Sequence, residues 1–268
     1  MHFSVHADRK IGMRRFFCND TPVVGEDALI TGQDARHLTR VLRLKPGDDV
    51  VVLSGDGREY LGKTVHITPD EVKVIILSEH LCNTDPAVEL TIALGFLKEK
   101  KMDDLVRQLT ELGMFRFQPF FARRSVSRPD SARMASRVRR WEKIAQESIK
   151  QCRRGSVPEI CPAVPLEEVF SKSASDHVKI LFWEAQDRKT LFPEVRRETA
   201  DSPISVTILL GPEGGLANDE VSTARNAGFD ICSLGPRILK AETAVVSACT
   251  LVQYVYGDMG SSQARDQK

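Results

Sequence analysis

The chain lacks the runs and spacings that mark several common protein classes. No apolar stretch among its 268 residues approaches the length that spans a bilayer, and the first residues have no hydrophobic core of the signal-peptide kind. Six cysteines, Cys18, Cys82, Cys152, Cys161, Cys232 and Cys249, form no C-x-x-C pair and no metal-ligand spacing with histidine. Reduced thiols in a cytoplasmic protein without a metal are therefore expected. No G-x-G-x-x-G follows a first strand and no Walker A lysine loop occurs, which argues against a Rossmann-type fold. There is no internal repeat and no low-complexity tract.

What is present is ordinary globular composition, 41% hydrophobic and 28% charged, enough for one large domain or one medium and one small. The net charge of +1 hides a separation. Between Lys98 and Arg154 there are 16 Lys/Arg against 7 Asp/Glu, and the remainder carries 22 against 30. A basic face for a polyanion is one reading. A solvated helix surface is the other, because Arg133, Arg137 and Arg140 recur at helix-face spacing.

Residues from Arg14 to about Leu77 read as short strands with one helix. DARHLTRVLRL (Asp34 to Leu44) is amphipathic, with Leu38, Val41 and Leu42 inward. KPGD is a turn, DVVVLSGDG a strand ending in an Asp-Gly hairpin signal, and YLGKTVHI and EVKVIIL two more strands. This spacing predicts a small β-barrel domain over residues 13–78. His80 to Pro86 is a polar linker. From Ala87 the texture alternates: ELTIALGF a strand, MDDLVRQLTELG a helix capped by Gly113, FRFQPFFA a strand, Ser131 to Cys152 a long helix. VKILFW, ISVTILL and ICSLG are further strands with helices between. A mostly parallel α/β sheet with helices on both faces is expected over residues 87–260. The first twelve residues differ in character, MRRFF from Met13 suits a natural start, and the polar tail from Ser261 is expected to fray.

Two glycine- and proline-bearing loops stand out, GPEGG (Gly211 to Gly215) and LGPRIL (Leu234 to Leu239). Each follows a short apolar run and precedes a helix pattern, the first starting near Asn218 and Asp219 with Gly228 as its cap, the second near Glu242 and Thr243. Loops at the carboxyl ends of adjacent parallel strands form the usual ligand crevice of such a sheet.

The pair GPEGG…LGPRIL-x-x-ETA resembles the ribosomal RNA small subunit methyltransferase E family, of the SPOUT class, and the resemblance runs from Met13 to Gly257. It implies an N-terminal PUA-like barrel marked by HLTRVLRLKPGD, a deep trefoil knot in the second domain, a homodimer paired through knot-side helices, and S-adenosylmethionine as cofactor. The reaction it implies is methylation of N3 of one uridine (the uridine 1498 site) in 16S ribosomal RNA of the small subunit. Another RNA base, a ribose 2′-hydroxyl, or a non-catalytic assembly factor are the alternatives.

By that resemblance the donor pocket comprises Phe182, Leu210, Gly211, Glu213, Gly214 and Gly215, with Leu234, Gly235, Pro236, Ile238 and Leu239 from the second loop. Arg237 is the expected catalytic side chain, since a guanidinium stabilises the anionic uracil ring left when N3–H is lost. An ion pair with Glu213 or Glu242 is the alternative for it. Glu242 is the candidate base, or else a helix-terminal carboxylate. Arg36, Arg40, Arg43 and Lys45 in the first domain, and Lys98, Lys100, Arg123, Arg124, Arg153 and Arg154 further on, are expected at RNA phosphates. Where the family often carries Arg-Thr before ETA, this chain has Lys240 and Ala241.

Overall fold

The computed structural model describes residues 13–18, 20–98, 100–126, 128–184 and 203–260. Three expectations fall outside these residues: the character of residues 1–12, a helix between the VKILFW and ISVTILL strands, and the polar tail 261–268. The chain divides into two compact units. The first takes residues up to 85 together with 149–157, and the second takes 86–148 and the residues from 158 on. The sequence suggests two unbroken domains; the segment 149–157 instead belongs with the first.

In the first unit β1 (Arg15–Phe17) runs parallel to β3 (Asp49–Leu53), while β3, β4 (Arg58–Ile67), β5 (Glu71–Leu81) and β2 (Asp27–Thr31) pair antiparallel in the order β1-β3-β4-β5-β2. Period-two alternation decides which face is buried. Val72, Val74 and Ile76 of β5 meet Ile30, Val50, Val52 and Tyr60 in one apolar cluster. Among the described residues the β1 and β2 edges do not pair with each other, so the sheet is a half-barrel.

The helix over Asp34 to Leu44 is short and changes type. α1 (Gly32–Arg36) passes into a π-helical turn, His37–Val41, in which Leu42 N–H donates to His37 O at 3.0 Å. The wider turn shifts every later side chain around the axis. Leu38 stays buried, but Val41, expected inward, is 65% exposed.

The segment 149–157 is held by charge and by main-chain hydrogen bonds. Asp85 accepts from Gly155 N and Ser156 N, both at 3.1 Å, and from Ser156 Oγ at 2.5 Å. Lys150 Nζ lies 2.8 Å from Asp34 Oδ1, and Arg15 meets Glu59 at 2.6 Å with both side chains nearly buried. A buried pair of this kind is costly to break from one side, because the other charge is left in a poor solvent.

The second unit is a seven-stranded parallel sheet, order β12-β10-β11-β6-β7-β8, with β9 also on β7. The strands are β6 (Val88–Gly95), β7 (Arg116–Phe121), β8 (Glu159–Ile160), β9 (Val164–Pro165), β10 (Val178–Phe182), β11 (Ile204–Leu210) and β12 (Asp230–Cys232). Apolar runs such as VELTIALG and ISVTILL are what a sheet covered on both faces requires. On one face Leu90, Ile92, Ile208 and Ile180 pack with α2 (Lys100–Glu111), α3 (Ser131–Cys152) and α6 (Ala241–Val255). On the other, Ala93, Leu209 and Leu181 pack with α4 (Leu166–Lys172) and α5 (Asn218–Asn226). Trp141 is fully buried on α3, edge-on to Phe117, and its indole N–H donates to Asp103 at 2.9 Å. No helix among the described residues is long and apolar enough to cross a membrane.

Candidate active site

The carboxyl ends of β10, β11 and β12 open into one cavity of about 340 Å³, within the size range of small-molecule sites. The sequence suggests that the strands before GPEGG and LGPRIL are neighbours. They are not: β10 lies between β11 and β12. The two loops therefore face each other across the end of β10, which adds Phe182, Trp183 and Glu184 to the lining.

Of the residues expected around a donor, Phe182, Leu210, Gly211, Glu213, Gly215, Leu234, Gly235, Ile238 and Leu239 line this cavity, and Arg237 and Glu242 line it too. Gly214 and Pro236 are not among its lining residues. Gly214 faces the other way: a Cβ there would lie 3.0 Å from Arg124 Cβ and 3.1 Å from Arg124 O. Its smallness serves the contact with the Arg124 turn, whose Nη1 donates to Gly214 O at 3.1 Å. The first loop is a tight turn, closed by Gly215 N–H to Pro212 O at 2.8 Å, and Gly215 sits at φ +68°, in the left-handed region that glycine adopts at no steric cost.

One close approach sets the loop's height on the sheet. A Cβ on Gly95, the last residue of β6, would lie 2.3 Å from Pro212 N and 2.8 Å from Gly211 C. The α5 helix after the loop starts one residue earlier than a capping Asn218 would have it. Ala217 is the N-cap, and Glu220 reaches back to accept Ala217 N–H at 2.8 Å while its other oxygen accepts Arg123 N–H at 2.8 Å.

The electrostatics of the rim centre on a residue that the motifs do not single out. Lys101 Nζ lies 2.7 Å from Glu242 Oε1 and 3.2 Å from Glu213 Oε1, so one ammonium ties the first loop to the start of α6. Glu213 Oε1 also accepts Lys98 N–H at 3.3 Å. The hydrogen bond from Lys101 holds the Glu242 carboxyl below its ordinary range, and in return Glu242 raises Lys101. A carboxylate held this way is a weaker proton acceptor than a free one, which counts against Glu242 as the base. Its Oε2 is buried with no hydrogen-bond partner among the described residues. Arg237 is exposed at the rim, and among the described residues it makes no ion pair: Glu213 and Glu242, the carboxylates expected to hold it, belong to Lys101.

The lining suits a nucleoside bearing a charged tail. Apolar walls from Phe182, Leu210, Leu234 and Leu239 can enclose a flat base, glycine main chain can approach it closely, and the buried Glu242 Oε2 offers an acceptor. Among the described residues no group of three or more His, Cys, Asp or Glu is placed to hold a metal.

The basic residues expected at RNA divide by exposure. Arg36, Arg40, Arg43 and Lys45 are exposed in the first unit, Arg36 beside Asp70 and Arg43 at φ +53°. Lys98, Lys100, Arg123 and Arg124 are exposed in the second, with Arg123 against Asp219. Arg153 is exposed in the first unit. Arg154 is a correction. It is buried, with its Nε 3.6 Å from Asp85 Oδ1, and burial lowers its ordinarily very high pKa. Its charge is spent inside the fold, where no phosphate reaches it. On α3, Arg133 and Arg140 sit beside Asp130 and Asp103, and Arg137 lies over the Phe96 ring at 5.4 Å. Part of the charge separation seen in the sequence is therefore local pairing.

Comparison with known proteins gives two family matches. Residues 84–253 match a family described as RNA methyltransferase domain, and residues 30–77 match one described as RNA methyltransferase PUA domain. Ribosomal RNA small subunit methyltransferase E of Bacillus subtilis is 29% identical over 247 residues, covering 90% of this chain and 96% of the relative. The protein of that name from Aquifex aeolicus is 28% identical, covering 82% and 90%. A crystal structure of a ribosomal RNA small subunit methyltransferase E from Neisseria gonorrhoeae bound to S-adenosyl methionine superposes with a TM-score of 0.79 at 25% identity, covering 92% of this chain and 99% of that one.

Proposed function

Because this chain belongs to the RNA methyltransferase family, we propose that it is an S-adenosylmethionine-dependent methyltransferase that modifies N3 of one uridine, the uridine 1498 site, in small-subunit ribosomal RNA. The observation that carries this reading is the convergence of both glycine loops and Arg237 on a single cavity. S-adenosylmethionine supplies, when bound, an electrophilic methyl group on a sulfonium. Everything else is the work of the chain. Phe182, Leu210, Leu234 and Leu239 bind the apolar parts of the donor and exclude water. The loop main chain reads its polar edges, and Glu242 Oε2 accepts a hydrogen bond from it. Arg237 meets the uracil ring and stabilises the negative charge that spreads over N3 and its neighbouring oxygens as the ring loses its proton. Holding both reactants in line accounts for much of the remaining acceleration.

The exposed arginines and lysines of the two units hold phosphates and fix the RNA without reading its sequence. Cytoplasmic action, the trefoil knot and a homodimer belong to the same proposal. For the dimer, Leu251, Tyr254 and Val255 leave an apolar strip of α6 exposed beside its buried face.

The test is direct. Calorimetry of the purified chain is expected to give a saturable S-adenosylmethionine isotherm, and incubation with small-subunit RNA from a strain deleted for this activity should yield one N3-methyluridine by mass spectrometry of nucleosides. Absence of donor binding points to an assembly factor, and a methyl group elsewhere on the RNA removes the uridine assignment. A second expectation concerns salt. Replacing Arg40 and Lys45 by glutamine should weaken RNA binding equally for all sequences. The slope of log K against log[salt] should fall by roughly 0.7–0.9 for each phosphate no longer neutralised. An unchanged slope would remove both residues from the RNA interface.

A further inference from the structure

Three carboxylates line the cavity, Glu184, Glu213 and Glu242, and one guanidinium, Arg237, lines it with them. A guanidinium beside carboxylates forms a forked ion pair readily, and an arginine so paired has its donors occupied and its charge neutralised. Yet among the described residues Arg237 makes no such pair, while Glu213 and Glu242 are both held by Lys101, at 3.2 and 2.7 Å. Lys101 stands on the first turn of α2, next to the exposed Lys100, and it lines the cavity. An ammonium has three donors and no acceptor, so a single lysine can engage two carboxylates at once and still offer nothing to a cation.

We propose that Lys101 is a positioning residue that keeps Arg237 available: by holding Glu213 and Glu242 it prevents these carboxylates from capturing the guanidinium that faces the RNA base. This inference rests on the reading of the cavity as a methyl-transfer site. It adds a reason for a cation where no substrate atom need touch one. The opposite effects of Lys101 and Glu242 on each other's proton affinity agree with a standing ion pair. The arrangement also joins the first loop to the start of α6, so that the two carboxylates come from the two sides of the cavity and share one counter-ion.

The experiment uses two readouts on the full chain. The first is single-turnover methyl transfer with saturating S-adenosylmethionine and RNA. K101M, which keeps the methylene stem and removes the charge, should lower the rate about 100-fold, approaching the loss expected for Arg237→Ala, with donor affinity little changed. K101R should retain most of the rate. The triple variant K101M/E213Q/E242Q should recover most of what K101M lost, because amides do not capture a guanidinium as carboxylates do. The second readout is the rate at which phenylglyoxal, an arginine-selective reagent, modifies Arg237, followed by peptide mass spectrometry. Arg237 should react several-fold more slowly in K101M than in the wild type and return to the wild-type rate in the triple variant. If K101M does not fold, K101Q carries the same expectations.

Loss of rate in K101M with unchanged Arg237 reactivity and no recovery in the triple variant would overturn the proposal, leaving Lys101 as a strut between loops. A wild-type chain that methylates no ribosomal RNA, with Arg237 still protected in K101M, upholds the role of Lys101 and instead removes the methyl-transfer reading.

Discussion

Arg237→Ala is expected to reduce the methyl-transfer rate about 100- to 1,000-fold, the scale seen when a single preorganised charge or donor at a developing anion is removed. S-adenosylmethionine affinity should stay within a few-fold of wild type, because the side chain is exposed at the rim and the apolar walls enclosing the donor are other residues. A loss carried in kcat with little change in donor affinity is the mark of an interaction made in the transition state alone. Rapid-quench kinetics beside calorimetry would separate the two. Weakened donor binding at a preserved rate would place Arg237 in the pocket wall and leave the uracil anion without a partner.

The second large effect is expected far from any polar chemistry, at Gly95→Ala. The new Cβ would lie 2.3 Å from Pro212 N and 2.4 Å from Pro212 Cδ, distances no real Cβ tolerates, and the obstruction is main chain and a proline ring rather than the end of a flexible side chain. Either β6 or the GPEGG loop must shift. Overpacking of this kind costs about 1–3 kcal/mol of stability. The loop carries Gly211, Glu213 and Gly215 of the cavity, so donor affinity should fall about tenfold or more, equivalent to about 1.4 kcal/mol. Thermal melts and titration with S-adenosylhomocysteine measure both. An unshifted melt with full affinity would mean that the loop's height does not depend on this contact.

Much of the fold is legible in the sequence because burial imposes a period. The 22 residues of α3 keep one apolar stripe and run from Ser131 to Cys152 as read, and the strands of the second unit are apolar runs bounded by loops. What is not legible follows from events that period does not record. The π-helical turn at His37–Val41 leaves composition unchanged and rotates Val41 into water. Strand order is equally silent. Nothing in GPEGG or LGPRIL says that β10 passes between their strands, and only that insertion brings Trp183 and Glu184 to the cavity.

The site residues show the same division. Those within the two loops are fixed by local turns and lie where the motifs suggest. Gly214 sits inside the motif yet faces Arg124, since a turn has two sides and its letters do not say which faces the ligand. Lys101 and Arg154 are ordinary basic residues in a basic stretch. Which of them meets a carboxylate, and whether it is covered, depends on partners far along the chain: Glu213 and Glu242 for one, a buried place beside Asp85 for the other. A signal existed for Lys101, because two acidic residues flanking a ligand loop call for a counter-ion, but the sequence offers three lysines within four positions and no means of choosing.

The hold of Asp85 on the main chain of Gly155 and Ser156 bears on how the molecule is made. During synthesis, amino-terminal domains usually fold as they emerge. Here the N-terminal half-barrel leaves the ribosome with a piece missing, since that piece is translated only after β6, α2, β7 and most of α3. A fragment cut after Asp85 would leave that carboxylate facing solvent in place of its amides. A nascent chain must therefore wait for residues 149–157 before its opening module is whole.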